Sequence, residues 1–263
     1  TRIGSQVQAF LEEPDLAMCG TAVDVIVENR VYFSPPDPVF QRGDLRVLSL
    51  FFTLFIHPTV MFKRLRLREE LVYDPAYLHA EDFDLFRKIA ARHRVRLLAT
   101  PLLSYRLHPQ SVSSRHNCVM RQTHLRIVAE NLAAEGFEGD MSALVAIGSQ
   151  PTQASVSRFA HLVRDLDRQI ETRPADLRPS YRDGLTNLIY FTMNLLMNEQ
   201  KPTLLAPLLN HSGRWGSIRR RDQLALRLTG RLPVIPAVLM RLSQQWERVA
   251  ARRNSAPLDG RRS

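Results

Sequence analysis

A-E-D-F-D-L-F-R-K-I-A-A-R-H-R-V-R-L-L-A-T-P-L-L-S-Y-R runs from Ala80 to Arg106, and its period changes halfway. Phe83, Phe86 and Ala90, with Leu85 and Ile89 beside them, recur at helical spacing and predict a helix from Glu81–Asp82 to about His93. Beyond Val95 the pattern alternates: Leu103, Tyr105 and Leu107 fall on one face of a strand, and Ser104, Arg106 and His108 on the other. A helix feeding directly into a strand predicts an α/β unit. Three acids, Glu81, Asp82 and Asp84, open that helix. Free backbone N–H groups and the helix dipole favour anions there by ~0.3–1 kcal/mol, so capping alone accounts for them. A metal site or a catalytic base would use the same residues, and the stretch by itself leaves all three readings open.

Outward from this stretch the chain divides in three. Residues 1–118 read as mixed: a helix at Ile3 to Leu11, a strand at Ala17 to Ile26, a Pro-rich loop at Ser34 to Pro38, an apolar helical run near Val47 to Ile56, and a strand-like run from Ile56 to Arg64 entered through His57-Pro58. Residues 119–210 are helical in period. Leu125, Val128 and Leu132 make one stripe, and Phe159, Leu162, Val163, Leu166 and Ile170 make another behind a Ser155 or Ser157 cap. A third, more apolar helix is expected over Leu185 to Met197. Residues 211–263 hold twelve arginines, no lysine and three acids, which is +9 of the formal +10 of the whole chain. Its arginines alternate with Leu224, Leu226, Leu228, Leu239, Leu242 and Trp246, which predicts basic amphipathic helices suited to an anionic membrane surface. A solvated face packed on the body and a nucleic-acid contact are the other readings of that segment, the last the least favoured.

Composition excludes several classes. With 44% apolar residues the chain can bury a core. Cys19 and Cys118 lie far apart without ligand spacing, which points to free thiols and no structural zinc. The longest apolar runs, Val47 to Ile56 and Leu232 to Met240, are shorter than the ~20 residues that span a bilayer. A cytoplasmic protein, peripheral on the cytoplasmic face of a membrane, is therefore expected.

Four motifs in order and at matching spacing, I-H-P-T-V-M-F-K-R (Ile56 to Arg64), Y-D-P-A-Y (Tyr73 to Tyr77), A-E-D-F-D-L-F-R-K-I-A (Ala80 to Ala90) and P-L-L-S-Y-R-L-H-P-Q-S-V-S (Pro101 to Ser113), closely resemble the second half of the catalytic domain of family-2 glycosyltransferases. These are inverting enzymes of the GT-A fold, and the likeness is to the bacterial members that build surface polysaccharides. The resemblance implies a partial GT-A, Rossmann-like domain followed by a helical extension. It implies Asp82 as the general base toward an acceptor hydroxyl, Glu81 beside it orienting the acceptor, His108 as a ligand of a divalent cation (Mn or Mg), and Arg106 facing the diphosphate of a nucleotide-sugar donor. A structural ion pair is an equal reading of Arg106, and His57 is expected to serve packing or the turn before Pro58. The implied partners are the donor and a glycan or lipid-linked acceptor.

Family members carry a nucleotide-binding half before this region, ending in an Asp-x-Asp metal motif and a P-x-R-L-x-x-Q segment. The opening T-R-I-G-S-Q resembles the end of that segment, with Arg2 and Gln6 in the matching places, while Asp24 and Asp44 lack the metal-motif spacing. The chain by itself is therefore expected to be inactive. The Q-x-x-R-W signature of processive synthases is unmatched at Gly213-Arg214-Trp215, which points to addition of single sugars. The alternative is a non-catalytic remnant that binds a membrane, a partner or nucleic acid through its arginine-rich tail.

Overall fold

The computed structural model describes residues 1–27, 30–32, 39–106, 117–218 and 223. The expected Pro-rich loop, His108 and the predicted helices after Arg219 lie outside the described residues. The fold is mixed α/β, and two compact units form within 1–49 plus 53–117 and within 50–52 plus 118–223.

The first unit is built on β1, Leu16–Val27, whose opening residues Leu16 to Cys19 are completely buried. Along one edge β1 pairs in parallel with β4, Arg94–Arg106, from Leu16 opposite Arg94 to Ile26 opposite Arg106. Its other edge takes two short antiparallel partners: β3, Met61–Phe62, at Met18 and Cys19, and β2, Arg30–Tyr32, at Val25 to Val27. Parallel neighbours need a crossover, and here it carries α2 (Val39–Arg42), α3 (Leu45–Leu48), α4 (Arg64–Leu67) and α5 (Glu81–Arg92). β4 alternates as expected from Leu103 to Arg106 but has register shifts on either side of Pro101, where the missing N–H is accommodated at irregular pairing.

Helix α1, Arg2–Glu12, starts on a Thr1 cap and lies against β1. Its buried Gln6 donates both amide hydrogens, to Cys19 O at 2.9 Å and Thr59 O at 2.8 Å. The strand-like run expected from Ile56 to Arg64 is instead a single 3-10 turn, His57–Thr59, followed by only two strand residues and α4. Pro58 has no N–H to give a ladder and its fixed φ suits the start of a turn, which explains the difference. The apolar run Val47 to Ile56 is helical only as far as Leu48. Phe51 is buried in the second unit and Phe55 in the first, so this run serves two cores rather than one amphipathic face.

The second unit holds α6 (Asn117–Ala134), α7 (Ser142–Ser149), α8 (Gln153–Ile170), α9 (Arg178–Asn198) and α10 (Leu205–Ser212). The two predicted stripes are buried throughout. The cap of α8 is Thr152, three residues before Ser155; Ser155 Oγ accepts the Thr152 N–H in return at 2.8 Å, completing a capping box. On α9, Gly184 lies so close to Phe51 that a Cβ there would sit 2.2 Å from the ring. Residues 211–218, read as the opening of the tail, belong to this unit: Arg214 is buried with its guanidinium 2.7 Å from Asp167, and Ile218 is buried too. Among the described residues no helix is long and apolar enough to cross a membrane.

Candidate active site at the start of α5

The approach to α5 is a loop with its own turn chemistry. Asp74 caps the 3-10 turn Pro75–Tyr77 by accepting the Ala76 N–H at 2.9 Å, and His79 takes a left-handed φ of 63° just before the helix. The N-cap position is Ala80, whose side chain has no acceptor to offer. The acids that follow take three different roles. Asp84 is completely buried and paired with Arg87 at 2.8 Å and Lys88 at 2.6 Å, a local ion-pair cluster that holds the helix together. Asp82 accepts the Phe83 N–H on Oδ1 at 2.8 Å, and no side chain among the described residues hydrogen-bonds its carboxylate. Glu81 is half-buried, with Oε2 shielded from solvent and lacking a hydrogen-bond partner among the described residues.

A fourth group comes from the other side of the fold. Thr59 Oγ1 accepts the Thr21 N–H at 3.3 Å and donates to Ile56 O at 2.7 Å, Gln6 bonds Thr59 O, and Arg2 donates to Pro58 O. These bonds fix the turn that carries His57. The imidazole sits edge-on to Phe86 and to Tyr73, each at 5.9 Å between centroids, and its Nε2 lies 2.7 Å from Tyr73 Oη. Phe86 is four residues after Asp82, so both lie on one face of α5 and a ring packed on Phe86 is brought beside the carboxylate. The electrostatics agree. Burial pushes the Asp82 pKa above the ordinary carboxylate value, opposed by the Phe83 N–H and by His57 and aided by Glu81. The Tyr73 phenol is raised first by burial and then by the charges of Asp82 and Glu81. The phenol donates in the 2.7 Å contact where His57 Nε2 carries no hydrogen, and accepts where it does.

Of the residues singled out in the sequence, the structure thus brings Glu81 and Asp82 together and adds His57 and Tyr73. It does not gather Arg106, which is exposed at the end of β4 opposite Ile26. That is five residues along β1 from Thr21, or about 16 Å at strand rise, beyond the level of the His57 turn. His108 lies outside the described residues. Among the described residues no group of three His, Cys, Asp or Glu side chains is placed to hold a metal ion. The Asp165-Leu166-Asp167 run, which has metal-motif spacing, has its acids paired instead with Arg168 and Arg214. The signal for His57 was the His-Pro pair itself, since proline restricts the backbone of the residue before it and suits the start of a turn; nothing in the spacing connects it to Tyr73 or Asp82 across the fold.

No family model matches the chain, and no curated protein or solved structure matches it.

Proposed function

We propose that this chain is the acceptor side of an inverting glycosyltransferase with a partial GT-A, Rossmann-like domain, in which Asp82 is the general base. One observation supports the reading above the others: a carboxylate at a helix N-terminus, where the dipole would lower its pKa, is instead raised by burial and has no side-chain partner among the described residues. Capping needs neither property, and an acid meant only for a helix start is better exposed. A base toward an alcohol gains from both, because a raised pKa strengthens the base and an unpartnered oxygen is available to the proton.

In the reaction, the acceptor hydroxyl is held against Asp82 with Glu81 beside it. As its oxygen attacks the anomeric carbon of the donor, the hydroxyl proton passes to the Asp82 carboxylate. The bond from that carbon to the diphosphate oxygen breaks on the opposite face, and the nucleotide diphosphate departs with the bonding electrons, inverting the configuration. His57, held edge-on by Phe86 and in contact with Tyr73 Oη, sets the wall of the site on the Asp82 side of α5. The resemblance also implies a divalent cation at the diphosphate. The described residues do not supply a ligand set for it, and the proton transfer to Asp82 does not depend on one.

The experiment is transfer from a nucleotide sugar to a hydroxyl acceptor, measured in the protein that joins this chain to its donor-binding half. Asp82→Asn lowers kcat by about 10²–10⁴-fold with the donor affinity kept. Asp84→Asn, which removes a partner of Arg87 and Lys88, lowers the melting temperature and leaves kcat within a few-fold. Activity of Asp82→Asn within a few-fold of the parent returns the acids to the capping reading.

A further inference from the structure

Between the His57 turn and the α5 site the chain presents a small surface of unusual composition. Arg64, Arg66 and Arg68 are all exposed, and none has an ion pair or hydrogen-bond partner among the described residues, although Arg92, Arg94 and Arg96 of the same unit are all paired with acids. Leu65, between the first two, is 81% exposed, and Val72 shortly after is 68% exposed. On α4 the inward anchor is the buried Leu67. At 100° per residue Leu65 points about 160° away from it, almost straight out, with Arg64 about 100° to one side and Arg66 about 100° to the other. Arg68 follows with a φ of 33°, where the helix ends. Lys63 is not part of the set, because its Nζ donates to Pro14 O at 2.7 Å. Within residues 63–72 the acids are Glu69, which is exposed, and Glu70, which is held by Arg92 and His93.

We propose that Arg64, Leu65, Arg66 and Arg68 dock this unit on an anionic phospholipid surface, with the arginines on headgroup phosphates and Leu65 entering the boundary of the acyl region. Charge complementarity selects an anionic partner, since Arg64, Arg66 and Arg68 are exposed and without an ion pair among the described residues, while within residues 63–72 Glu69 is the one acid in the same condition. The outward leucine selects the membrane over nucleic acid: a phosphate backbone would meet the same arginines but leave Leu65 in water, whereas a bilayer receives an apolar tip flanked by cations. The inference goes beyond the reading of Asp82 and does not depend on it. In sequence, Arg64 to Arg68 are distinct from the arginine-rich segment after Arg219.

The test reports from residue 65 itself. In the full chain with Cys118→Ser, a Leu65→Cys variant is labelled with an environment-sensitive fluorophore; Cys19 stays unlabelled because it is buried and its thiol is pushed up to about 11. Vesicles of phosphatidylcholine with phosphatidylglycerol are expected to shift the emission to the blue, with reversal by salt, while a label at Val145→Cys on α7 does not move. Combining Arg64→Gln, Arg66→Gln and Arg68→Gln weakens the partitioning read at residue 65 by about a hundred-fold, from about five-fold per arginine. Vesicles that recruit the chain yet leave the residue-65 label in water overturn the proposal, as does a label that responds to duplex DNA and not to vesicles. Absence of vesicle binding overturns it too, and a blue shift that survives the triple substitution removes the role of the arginines.

Discussion

Replacing Gln6 by leucine tests how the site is held. Gln6 is 1% exposed, and its amide spends both hydrogens on carbonyls from two places in the chain, Cys19 in β1 and Thr59 in the His57 turn. Leucine fills nearly the same volume, so the cavity contribution is small and the loss is polar. Two buried hydrogen bonds contribute about 1 kcal/mol each, and a carbonyl left without a donor costs about 1–3 kcal/mol. Taking the lower part of that range at each of the two carbonyls, the total is about 2–4 kcal/mol. Against a typical domain stability of 5–15 kcal/mol this is a large fraction, and it corresponds to a fall in melting temperature of roughly 10–20 °C. The assay is urea unfolding with hydrogen exchange read on peptides covering residues 16–27 and 56–62, so that the first unit is followed apart from the second. Gln6→Glu is a sharper form of the same test: at neutral pH it sets a carboxylate against two carbonyl oxygens, and acidification restores a donor. It should be less stable than Gln6→Leu at pH 7 and regain stability as pH falls. A Gln6→Leu cost below about 1 kcal/mol, or a Gln6→Glu variant without that pH dependence, would refute the idea that this amide ties α1 to the His57 turn.

Asp82→Asn should raise stability at pH 7 while removing activity. A carboxyl whose folded pKa lies above its unfolded value stabilises the fold only while protonated, and loses that contribution as pH rises through the folded pKa, so the gain from Asn shrinks toward zero below the ordinary carboxylate range. Thermal melts at pH 7 and pH 3.5 measure it, and a loss of stability at pH 7 would mark Asp82 as a cap. In the second unit, His124 stacks on Phe191 at 4.4 Å, lies 3.2 Å from Phe51 O, and is depressed by burial to about 4. Its protonation on unfolding should withdraw on the order of 3 kcal/mol of stability from this unit as pH falls from about 6.5 to about 4; His124→Gln flattens that slope in urea midpoints, and an unchanged slope contradicts it. Iodoacetamide at pH 8 should modify one thiol in the native chain, the exposed Cys118, and two in urea, because Cys19 is buried and pushed up to about 11; rapid native modification of Cys19 by mass spectrometry would show that β1 opens.

What was legible in the sequence follows the range of each signal. The helix at Glu81 and the strand after it could be read because a period of 3.6 or 2 is written in neighbouring residues, and the same holds for the stripes of α6 and α8. The run from Ile56 to Arg64 misled because its apolar residues alternate as a strand would, while the one residue that decides the backbone, Pro58, withdraws a ladder donor and turns the chain. The apolar stretch from Val47 to Ile56 misled for a different reason: hydrophobicity reports burial but not which core does the burying, and Phe51 and Phe55 go to two. The site shows the same division. Asp82 was visible because a helix start is a local event, and Asp84 is told from it by an equally local rule: Arg87 and Lys88 stand three and four residues beyond Asp84, where Leu85 and Phe86 stand beyond Asp82, so among the described residues only Asp84 gains side-chain partners. His57 and Tyr73 are 16 residues apart and meet through one 2.7 Å hydrogen bond, a contact made by the turn that Gln6, Thr59 and Thr21 hold in place. No periodicity encodes such a contact. The chemistry of this region therefore lives in two kinds of information, one local and readable at α5, the other tertiary and carried by a handful of backbone carbonyls, so a substitution as remote in sequence as Gln6 is expected to reach His57 before it reaches the helix that bears Asp82.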